Sequence, residues 1–283
     1  MELNNLILVT GGNGQLAKSM LDVYPKRELY LATKSELDVT DKNLVSKIIS
    51  KIKPRKIFHF ASLTRADDCA RDPDLAYRIN VEGTRNIVEV CKKFDIPLLF
   101  VSTNEVFDGK KKSAYIEKDK ANPITIAGKT KFHAENIIKE NLKKYFIIRT
   151  SWLYSKWSRN FLYVIFSKAK ELKQIRIVKD EISSPTYSLD LAAAIKELLL
   201  SDEFGLYHLV NEGMASRLQL AKKAFALSDV DGINIIPISL KDFDRPSKPP
   251  LFSPLKNTKA REMGIVLPRW EDGLRRFLKE NTL

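Results

Sequence analysis

The sequence predicts an α/β fold built on a doubly wound parallel sheet. Short, continuous apolar runs alternate with helical stretches through the first half of the chain, and a glycine-rich loop follows the first run. Apolar runs without a polar face are typical of strands covered by helices on both sides. Right-handed crossovers between such strands give a doubly wound, nucleotide-binding sheet. The predicted strands are 6–10, 29–33, 56–61, 97–103 and 145–150.

Helical periodicity separates these strands, and the second half of the chain is less regular. We therefore expect a Rossmann-type dinucleotide-binding domain over residues 1–150. Residues 151–283 are expected mainly to form a smaller C-terminal α/β lobe that binds the substrate, with some segments returning to the sheet. The predicted helices are 44–52, 74–94, 129–144, 161–172, 189–200, 216–227 and 269–280, with short apolar segments at 175–178, 206–210 and 233–238 and a loop at 241–259.

Composition limits the function classes. The chain has 283 residues, of which 44% are hydrophobic, and a net charge of +13. It contains no apolar run near the length of a membrane span, and its first residues do not resemble a signal peptide, so we expect a cytoplasmic protein without a membrane partner. The lysines are spread along the chain instead of forming a basic stripe. This favours a solvated surface over nucleic-acid binding, while the positive charge also attracts anionic nucleotides.

Cysteines and histidines give no metal signal. Cys69 and Cys91 lack metal-ligand spacing and are predicted to be buried thiols in a reducing compartment. His59, His133 and His208 do not cluster in the sequence, so a structural role is favoured for each. No metal site is predicted.

The glycine loop is Thr10-Gly11-Gly12-Asn13-Gly14-Gln15-Leu16-Ala17, between the first predicted strand and a helix. Gly11 permits a tight turn, and Gly14 lets the backbone approach a pyrophosphate at the start of the helix. Ala17 is small enough for close packing of helix on strand. Because the loop lies within a βαβ unit, dinucleotide binding is favoured over a plain turn.

The end of the second strand bears on cofactor choice. Sites that prefer NAD usually carry an acid there for the ribose hydroxyls. This chain has Ala32-Thr33-Lys34, which lacks an acid. Lys34 is able to pair with a 2′-phosphate, which favours NADP over NAD. The alternative is that Lys34 is simply solvated.

Two segments carry the residues expected to act on the substrate, and we call this part of the site the reaction end. The run Ala127-Gly128-Lys129-Thr130-Lys131 resembles the Tyr-x-x-x-Lys segment of the short-chain dehydrogenase/reductase family, and Thr103 precedes position 127 by 24 residues, as in that family. A hydroxyl at Thr103 would hydrogen-bond a substrate carbonyl. Lys131 would bind the nicotinamide ribose, and its charge would lower the pKa of a neighbouring phenol. Position 127 is alanine, however, and a methyl group cannot transfer a proton.

Further stretches make the resemblance more specific. The chain is similar to the dTDP-4-dehydrorhamnose reductase family, an extended branch of the short-chain dehydrogenase/reductases. The resemblance implies hydride transfer from NAD(P)H to the C4 carbonyl of a 6-deoxy-4-ketohexose nucleotide, with a dTDP-sugar as partner. It leaves homodimerisation open. The matching stretches are 11–17, 36–41, 102–109, 127–135, 149–154, 183–186, 205–210, 252–257 and 267–278.

The family's functional positions carry over unevenly. The resemblance assigns cofactor binding to the glycine loop, to a segment near the adenine, to the turn after the third strand and to the lysine, and we add Lys34. These residues are Gly11, Gly14, Gln15, Leu16, Lys34, Asp38, Val39, Ala61, Ser62 and Lys131. The catalytic positions retained are Thr103 and Lys131, with Ala127 at the tyrosine position. Substrate contacts are expected from Thr103, Glu105, Trp152 and Tyr154, although both aromatic residues are also compatible with a place in the core.

Several departures from the family pattern fall at the reaction end. Glu105 stands where the family has a second tyrosine, and Glu181-Ile182-Ser183-Ser184 replaces a Gln-Tyr-Gly-Ser type segment. Pro249-Pro250 replaces an arginine-proline pair, so a phosphate contact is lost unless Arg245 or Lys248 supplies it.

Three interpretations follow from these departures. One is a reductase with reduced activity or a changed substrate, whose proton comes from water, Tyr154 or Glu105. Another is a non-catalytic homologue that binds a dinucleotide or sugar nucleotide and regulates a partner enzyme. The third is a deliberate tyrosine-to-alanine change that traps substrate, against which the departures at Glu105 and Pro249 argue.

Overall fold

The structure is a computed structural model that describes residues 6–228, 230 and 232–280. Its strands, in chain order, are β1 Ile7–Thr10, β2 Leu29–Ala32, β3 Lys56–His59, β4 Leu98–Thr103, β5 Tyr145–Thr150, β6 Leu153–Tyr154, β7 Gln174–Val178, β8 Ile182–Ser183, β9 Thr186–Tyr187, β10 Gly205–His208, β11 Ala215–Ser216 and β12 Asn234–Ile238. Its helices are α1 Gln15–Met20, α2 Lys42–Ile52, α3 Ala66–Arg71, α4 Pro73–Tyr77, α5 Gly83–Phe94, α6 Ile126–Asn141, α7 Phe161–Glu171, α8 Ser188–Leu198, α9 Arg217–Ala226, α10 Thr258–Glu262 and α11 Trp270–Glu280.

The main sheet has six strands in the order β10-β5-β4-β3-β1-β2, and every neighbouring pair is parallel. All five strands predicted from apolar runs are confirmed, as is the doubly wound α/β class. The chain forms β2 on one side of β1 and then crosses to the other side of β1 to form β3. Ligands of such sheets bind in the crevice at this reversal, outside the carboxyl ends of the strands.

Side chains that point alternately to the two faces of the sheet form a hydrophobic core on each face. Ile7 and Val9 of β1 point into one cluster, which α1, α8 and α10 cover. Leu8 points into the opposite cluster, which α2, α5 and α6 cover. Successive side chains of a strand point to opposite faces, so a strand buried on both faces must be apolar at every position. This explains why the strands could be recognised as continuous apolar runs.

The second half of the chain contributes to both parts of the molecule. The predicted apolar segment 206–210 includes β10, which joins the main sheet beside β5. Helix α8 packs on α1 through Ser19 and Ser188, whose hydroxyl oxygens lie 2.7 Å apart. The smaller lobe has its own core between α7, α9, α11 and the parallel pair β7–β12. None of the helices in the described ranges is long and apolar enough to cross a membrane.

Local capping sets the position of α6, the helix that carries the reaction-end motif. It begins at Ile126, three residues before the predicted start, because the Thr125 hydroxyl accepts a hydrogen bond from Gly128 N at 3.0 Å. Ala127 therefore lies in the first turn, with Lys131 one turn later on the same face. The predicted helix 74–94 is also interrupted, since a π turn at Arg78–Glu82 separates α4 from α5.

Candidate active site

A cleft of about 540 Å³ lies at the carboxyl ends of the central strands. Its wall is formed by the glycine loop, by the segments after β2, β3, β4 and β5, and by the first turns of α6. The volume is typical of a small-molecule site. The structure brings most of the predicted site residues together here, namely Gly11, Gly14, Gln15, Leu16, Lys34, Ala61, Ser62, Thr103, Glu105, Ala127, Lys131 and Trp152.

The glycine loop has the geometry of a dinucleotide cradle. Gly11 has φ +69°, and a Cβ there would lie 2.8 Å from Ala61 N, so a side chain would be strained and would also clash. Gly14 N donates to Gly11 O at 2.8 Å, which closes the turn before α1. Bare backbone at the carboxyl end of β1 is what a dinucleotide pyrophosphate requires for close approach. The residues present therefore fit a nicotinamide dinucleotide.

Gln15 ties the glycine loop to the start of the second half of the chain. Its Oε1 accepts hydrogen bonds from Ser155 Oγ at 3.2 Å and Ser158 Oγ at 3.0 Å, and its Nε2 donates to Leu153 O at 3.4 Å. These contacts hold one wall of the cleft against the other. Sequence reasoning identified Gln15 but not its two serine partners, which lie more than a hundred residues away.

The end of β2 presents a cation to the cleft. Lys34 lines it with a side chain that is 77% exposed. Sequence reasoning missed Glu36, whose Oε2 accepts hydrogen bonds from Thr33 N at 2.9 Å and Thr33 Oγ1 at 2.7 Å. An acid therefore lies near this strand end, but it is engaged with Thr33 and does not line the cleft. Lys34 Nζ lies 4.0 Å from Asp38 Oδ2, and its contact with a 2′-phosphate stays a prediction.

Thr103, Ala127 and Lys131 also line the cleft. The Lys131 ammonium donates to Val101 O at 2.8 Å and lies 4.5 Å from the centre of the Phe100 ring. Burial lowers the pKa of Lys131 to about 7. Ala127 is 7% exposed and packs into a small apolar cluster with Cys69 and Ala76. No phenol extends from position 127 toward Lys131.

Glu105 enters the same region from the turn after β4. Its Oε2 accepts a hydrogen bond from Thr125 Oγ1 at 2.7 Å. Burial raises the pKa of the Glu105 carboxyl, and the nearby Glu181 carboxylate acts in the same direction. The Thr125 hydrogen bond and the Arg245 and Arg217 guanidinium groups oppose this rise.

Trp152 presents an aromatic ring that lines the same cleft as Glu105. Its backbone has φ +40°, which is strained for a bulky residue and is found mainly at functional sites. The Arg217 guanidinium stacks 3.5 Å from the centre of the Trp152 ring and donates to Glu181 Oε1 at 3.3 Å. Arg217 and Glu181 were not selected from the sequence as site residues, because their pairing becomes visible only in three dimensions.

Tyr154 does not line the cleft. It was expected to contact substrate or supply a proton, but it is 3% exposed and lies in the core of the smaller lobe. It stacks on Tyr187 with ring centres 5.7 Å apart and meets the edge of Phe277 at 5.2 Å. Burial raises the pKa of its phenol well above the usual value, which disfavours proton release.

Asp38 and Val39 are not among the residues that line this cleft, and their expected place beside the adenine stays a prediction. Val39 is 4% exposed in the core, and its carbonyl accepts a hydrogen bond from Asn86 Nδ2 at 2.9 Å. Asp38 Oδ1 accepts from Thr40 N and Thr40 Oγ1 at 2.9 and 2.8 Å, which closes the turn before α2. Both residues shape the segment after β2 through internal contacts.

A buried ion pair beneath the cleft was also missed. Glu135 is completely buried, and its oxygens accept from Arg149 Nε and Nη2 at 2.9 and 2.7 Å and from Ser102 Oγ at 2.6 Å. The pair joins α6 to β4 and β5, the elements that carry Lys131, Thr103 and the start of the Trp152 segment. Sequence spacing gives no signal for it.

The cysteines were predicted to be buried thiols, and His59 and His208 are buried as well, whereas His133 is exposed. Both cysteines are free and buried, and burial raises the pKa of Cys69 to about 11. His59 links Thr10 and Thr84 inside the core, and burial lowers its pKa to about 3. Within the described ranges, no group of three or more acidic, histidine or cysteine side chains is placed to hold a metal ion.

Comparison with known proteins places this site in a family. The family model for the RmlD substrate binding domain matches residues 5–283. The chain is 31% identical to the spore coat polysaccharide biosynthesis protein SpsK of Bacillus subtilis, over 98% of each chain. It is 32% identical to dTDP-4-dehydrorhamnose reductase of Aggregatibacter actinomycetemcomitans, over 95% of this chain and 97% of that one. The crystal structure of dTDP-4-dehydrorhamnose reductase from Bacillus anthracis, in complex with NADP, matches with a TM-score of 0.94 and 35% identity, over 98% of this chain and 100% of that one.

The fold, the glycine cradle and these relatives define an NAD(P)-dependent oxidoreductase of the extended short-chain dehydrogenase/reductase type. Both the sequence relatives and the structural relatives cover nearly the whole chain, so the assignment can be narrowed from this superfamily to one family. The chain belongs to the dTDP-4-dehydrorhamnose reductase family, as its sequence motifs indicated.

Proposed function

We propose that this chain uses NADPH to reduce the C4 carbonyl of a dTDP-linked 4-keto-6-deoxyhexose. One observation carries the proposal: the glycine loop, Thr103 and Lys131 line a single cleft. A dinucleotide along the loop and a carbonyl at Thr103 would therefore be neighbours. The exposed Lys34 at the end of β2 and the NADP bound to the Bacillus anthracis relative support NADPH over NADH.

In this proposal the protein binds and orients, while NADPH supplies the hydride. The Thr103 hydroxyl hydrogen-bonds the substrate carbonyl, and the Lys131 ammonium binds the nicotinamide ribose. Arg217, stacked on Trp152, places positive charge beside the sugar nucleotide. Because general acid catalysis is typically worth roughly 10²–10⁴-fold, the alanine at 127 is expected to slow turnover without preventing binding.

A second candidate is a non-catalytic binding protein that regulates a partner enzyme. The packing of Ala127 favours it, because an apolar cluster with Cys69 and Ala76 occupies the side of α6 where the family acid begins. The glycine cradle would be retained for binding alone. Turnover of a 4-keto sugar nucleotide separates the two candidates.

The first experiment is calorimetric titration with NADPH and with NADH, each in the presence and absence of dTDP. Gly11→Ala is the test variant, since its Cβ would meet Ala61 N in a positive-φ position. Gly264→Ala is its matched control, since Gly264 has φ +83° but a Cβ there would have no other atom within 4 Å. We expect micromolar binding of NADPH that Gly11→Ala abolishes and Gly264→Ala preserves.

The outcomes separate the candidates. Binding of both NADPH and dTDP, followed by NADPH consumption with dTDP-4-keto-6-deoxy-L-lyxo-hexose, supports the reductase. Binding of both ligands without turnover supports the regulatory homologue. Dinucleotide binding without dTDP indicates a changed substrate, and binding of neither ligand contradicts both candidates.

A further inference from the structure

The reaction end lacks a phenol at 127 but contains a carboxyl group that the family pattern lacks. Glu105 and Ala127 line the same cleft, together with Thr103 and Lys131. The two positions are close neighbours, because the Glu105 carbonyl packs against Gly128 so tightly that a Cβ on Gly128 would clash with it. The turn that carries Glu105 is therefore in contact with the first turn of α6, and Glu105 and Ala127 face the same cleft.

One oxygen of this carboxyl is held and the other is available. Thr125 donates to Oε2 at 2.7 Å, and the same Thr125 hydroxyl caps α6 by accepting from Gly128 N at 3.0 Å. Among the described residues, Oε1 has no hydrogen-bond partner. The carboxyl is thus oriented by the start of the helix that carries Ala127 and Lys131, with one oxygen left for a ligand.

The surroundings keep a proton on this carboxyl to higher pH than on an exposed glutamate. Burial is the main cause of the raised pKa, and the Glu181 carboxylate adds to it. Arg217 and Arg245 also face the carboxyl and oppose the rise, but Arg217 is paired with Glu181 and Arg245 with Asp67. Cys69 is a further titratable neighbour, and it is a thiol at neutral pH because burial raises its pKa to about 11.

Lys131 is a poorer source of the proton. Its ammonium donates to Val101 O and lies over the Phe100 ring, so it is directed toward the floor of the cleft. Tyr154 is enclosed in the smaller lobe. Of the ionisable groups that line the cleft, Glu105 combines a free oxygen with a raised pKa.

We propose that Glu105 is the proton donor that takes the place of the missing tyrosine. As hydride from NADPH adds to the carbonyl carbon, the Glu105 O–H bond breaks and its proton joins the carbonyl oxygen. The products are the alcohol, NADP⁺ and a Glu105 carboxylate, which regains a proton from water. This inference rests on the proposed reductase function.

The kinetic test compares Glu105→Gln with the unmodified chain. Glutamine keeps the shape and can still accept from Thr125, but it is no acid. We expect kcat to fall roughly 10²-fold with little change in KM. The kcat of the unmodified chain should fall as pH rises through the Glu105 pKa, since only the protonated carboxyl donates. This fall should be absent from the pH profile of Glu105→Gln. Glu89→Gln, on the outer face of α5 and paired with Lys42, is the matched control.

A second measurement does not depend on turnover. Carboxyl ¹³C NMR of glutamate-labelled protein follows each side chain with pH, and the Glu105 resonance is assigned from Glu105→Gln or, if that variant misfolds, Glu105→Asp. We expect Glu105 to titrate at higher pH than the exposed glutamates. Glu181→Gln should lower its midpoint, because it removes a neighbouring negative charge.

Failure of this inference is distinct from failure of the proposed function. If the unmodified chain consumes no NADPH with any 4-keto sugar nucleotide, the reductase function is wrong. If it turns over and Glu105→Gln leaves both kcat and the pH profile unchanged, Glu105 is not the donor. A Glu105 resonance that titrates with the exposed glutamates also overturns the inference.

Discussion

Restoring a phenol at position 127 tests the relation between the missing tyrosine and the rate. Ala127 and Lys131 are one turn apart on α6, a separation that places their Cβ atoms about 5–6 Å from each other. A tyrosine at 127 would extend into the cleft near the Lys131 ammonium, whose charge lowers the pKa of a neighbouring phenol. Ala127→Tyr should therefore add an acid at the reaction end.

The expected gain depends on whether another donor is already present. A general acid is worth roughly 10²–10⁴-fold, which corresponds to about 2.7–5.4 kcal/mol of transition-state stabilisation. If Glu105 already donates the proton, Ala127→Tyr should raise kcat by less than about tenfold in the unmodified chain. In the Glu105→Gln background it should restore most of the lost activity, since the two donors then act as alternatives.

The assay follows loss of NADPH with dTDP-4-keto-6-deoxy-L-lyxo-hexose under saturating conditions. Ala127→Phe is the matched control, because it adds the same ring without the hydroxyl and reports any cost of filling the space beside Cys69. The reasoning is refuted if Tyr and Phe at 127 give the same kcat in the Glu105→Gln background. Equal folding of all variants is checked by thermal unfolding.

Three further predictions concern binding and stability. Lys131→Met should weaken NADPH binding. It should also remove a pH dependence of the affinity centred near 7, because burial lowers the pKa of the Lys131 ammonium to about 7. Calorimetry across pH measures both effects, and an unchanged affinity would exclude Lys131 from the cofactor site. Lys34→Gln should weaken NADPH binding severalfold without affecting NADH, most clearly at low salt; an equal effect on both cofactors would contradict a 2′-phosphate contact. Arg149→Met should lower the free energy of unfolding by about 3–5 kcal/mol at neutral pH, because Glu135 loses its buried partner. Arg149 and its hydrogen bonds outweigh burial and hold the pKa of Glu135 below its usual range, so the unmodified chain loses this stabilisation as pH falls through that pKa. Urea unfolding should therefore show a variant deficit that shrinks in acid, and a deficit independent of pH would argue against the ion pair as its cause.

The sheet could be predicted from the sequence because its signal is local. Strands such as β1 are apolar at consecutive positions since both faces are covered, and each is followed by a turn or a helical pattern. The start of α6 was misplaced by three residues because a cap depends on one hydrogen bond, here from Gly128 to Thr125. The π turn within the predicted helix 74–94 likewise leaves the apolar periodicity nearly unchanged.

The site was predictable where motif residues act through the backbone or a short spacing. Gly11 and Lys131 line the cleft as expected, because a glycine turn and a one-turn helical spacing are local features. The ion pairs Glu135–Arg149 and Glu181–Arg217 join distant segments, so no local pattern indicates them. Tyr154 was misassigned because an aromatic residue near a site has the same sequence pattern whether it faces the cleft or the core.

The changes at positions 105 and 127 have a common chemical meaning. An exposed phenol has a pKa near 10 and a glutamate near 4.3, and the best general acid has a pKa near the operating pH. A tyrosine beside Lys131 approaches that range from above, because the ammonium stabilises the phenolate. Glu105 approaches it from below, because burial and Glu181 destabilise its carboxylate. On the proposal that Glu105 donates the proton, loss of the phenol and gain of a half-buried carboxyl in the same cleft exchange one acid for another, and the glycine cradle and Lys131 need not change for this exchange to work.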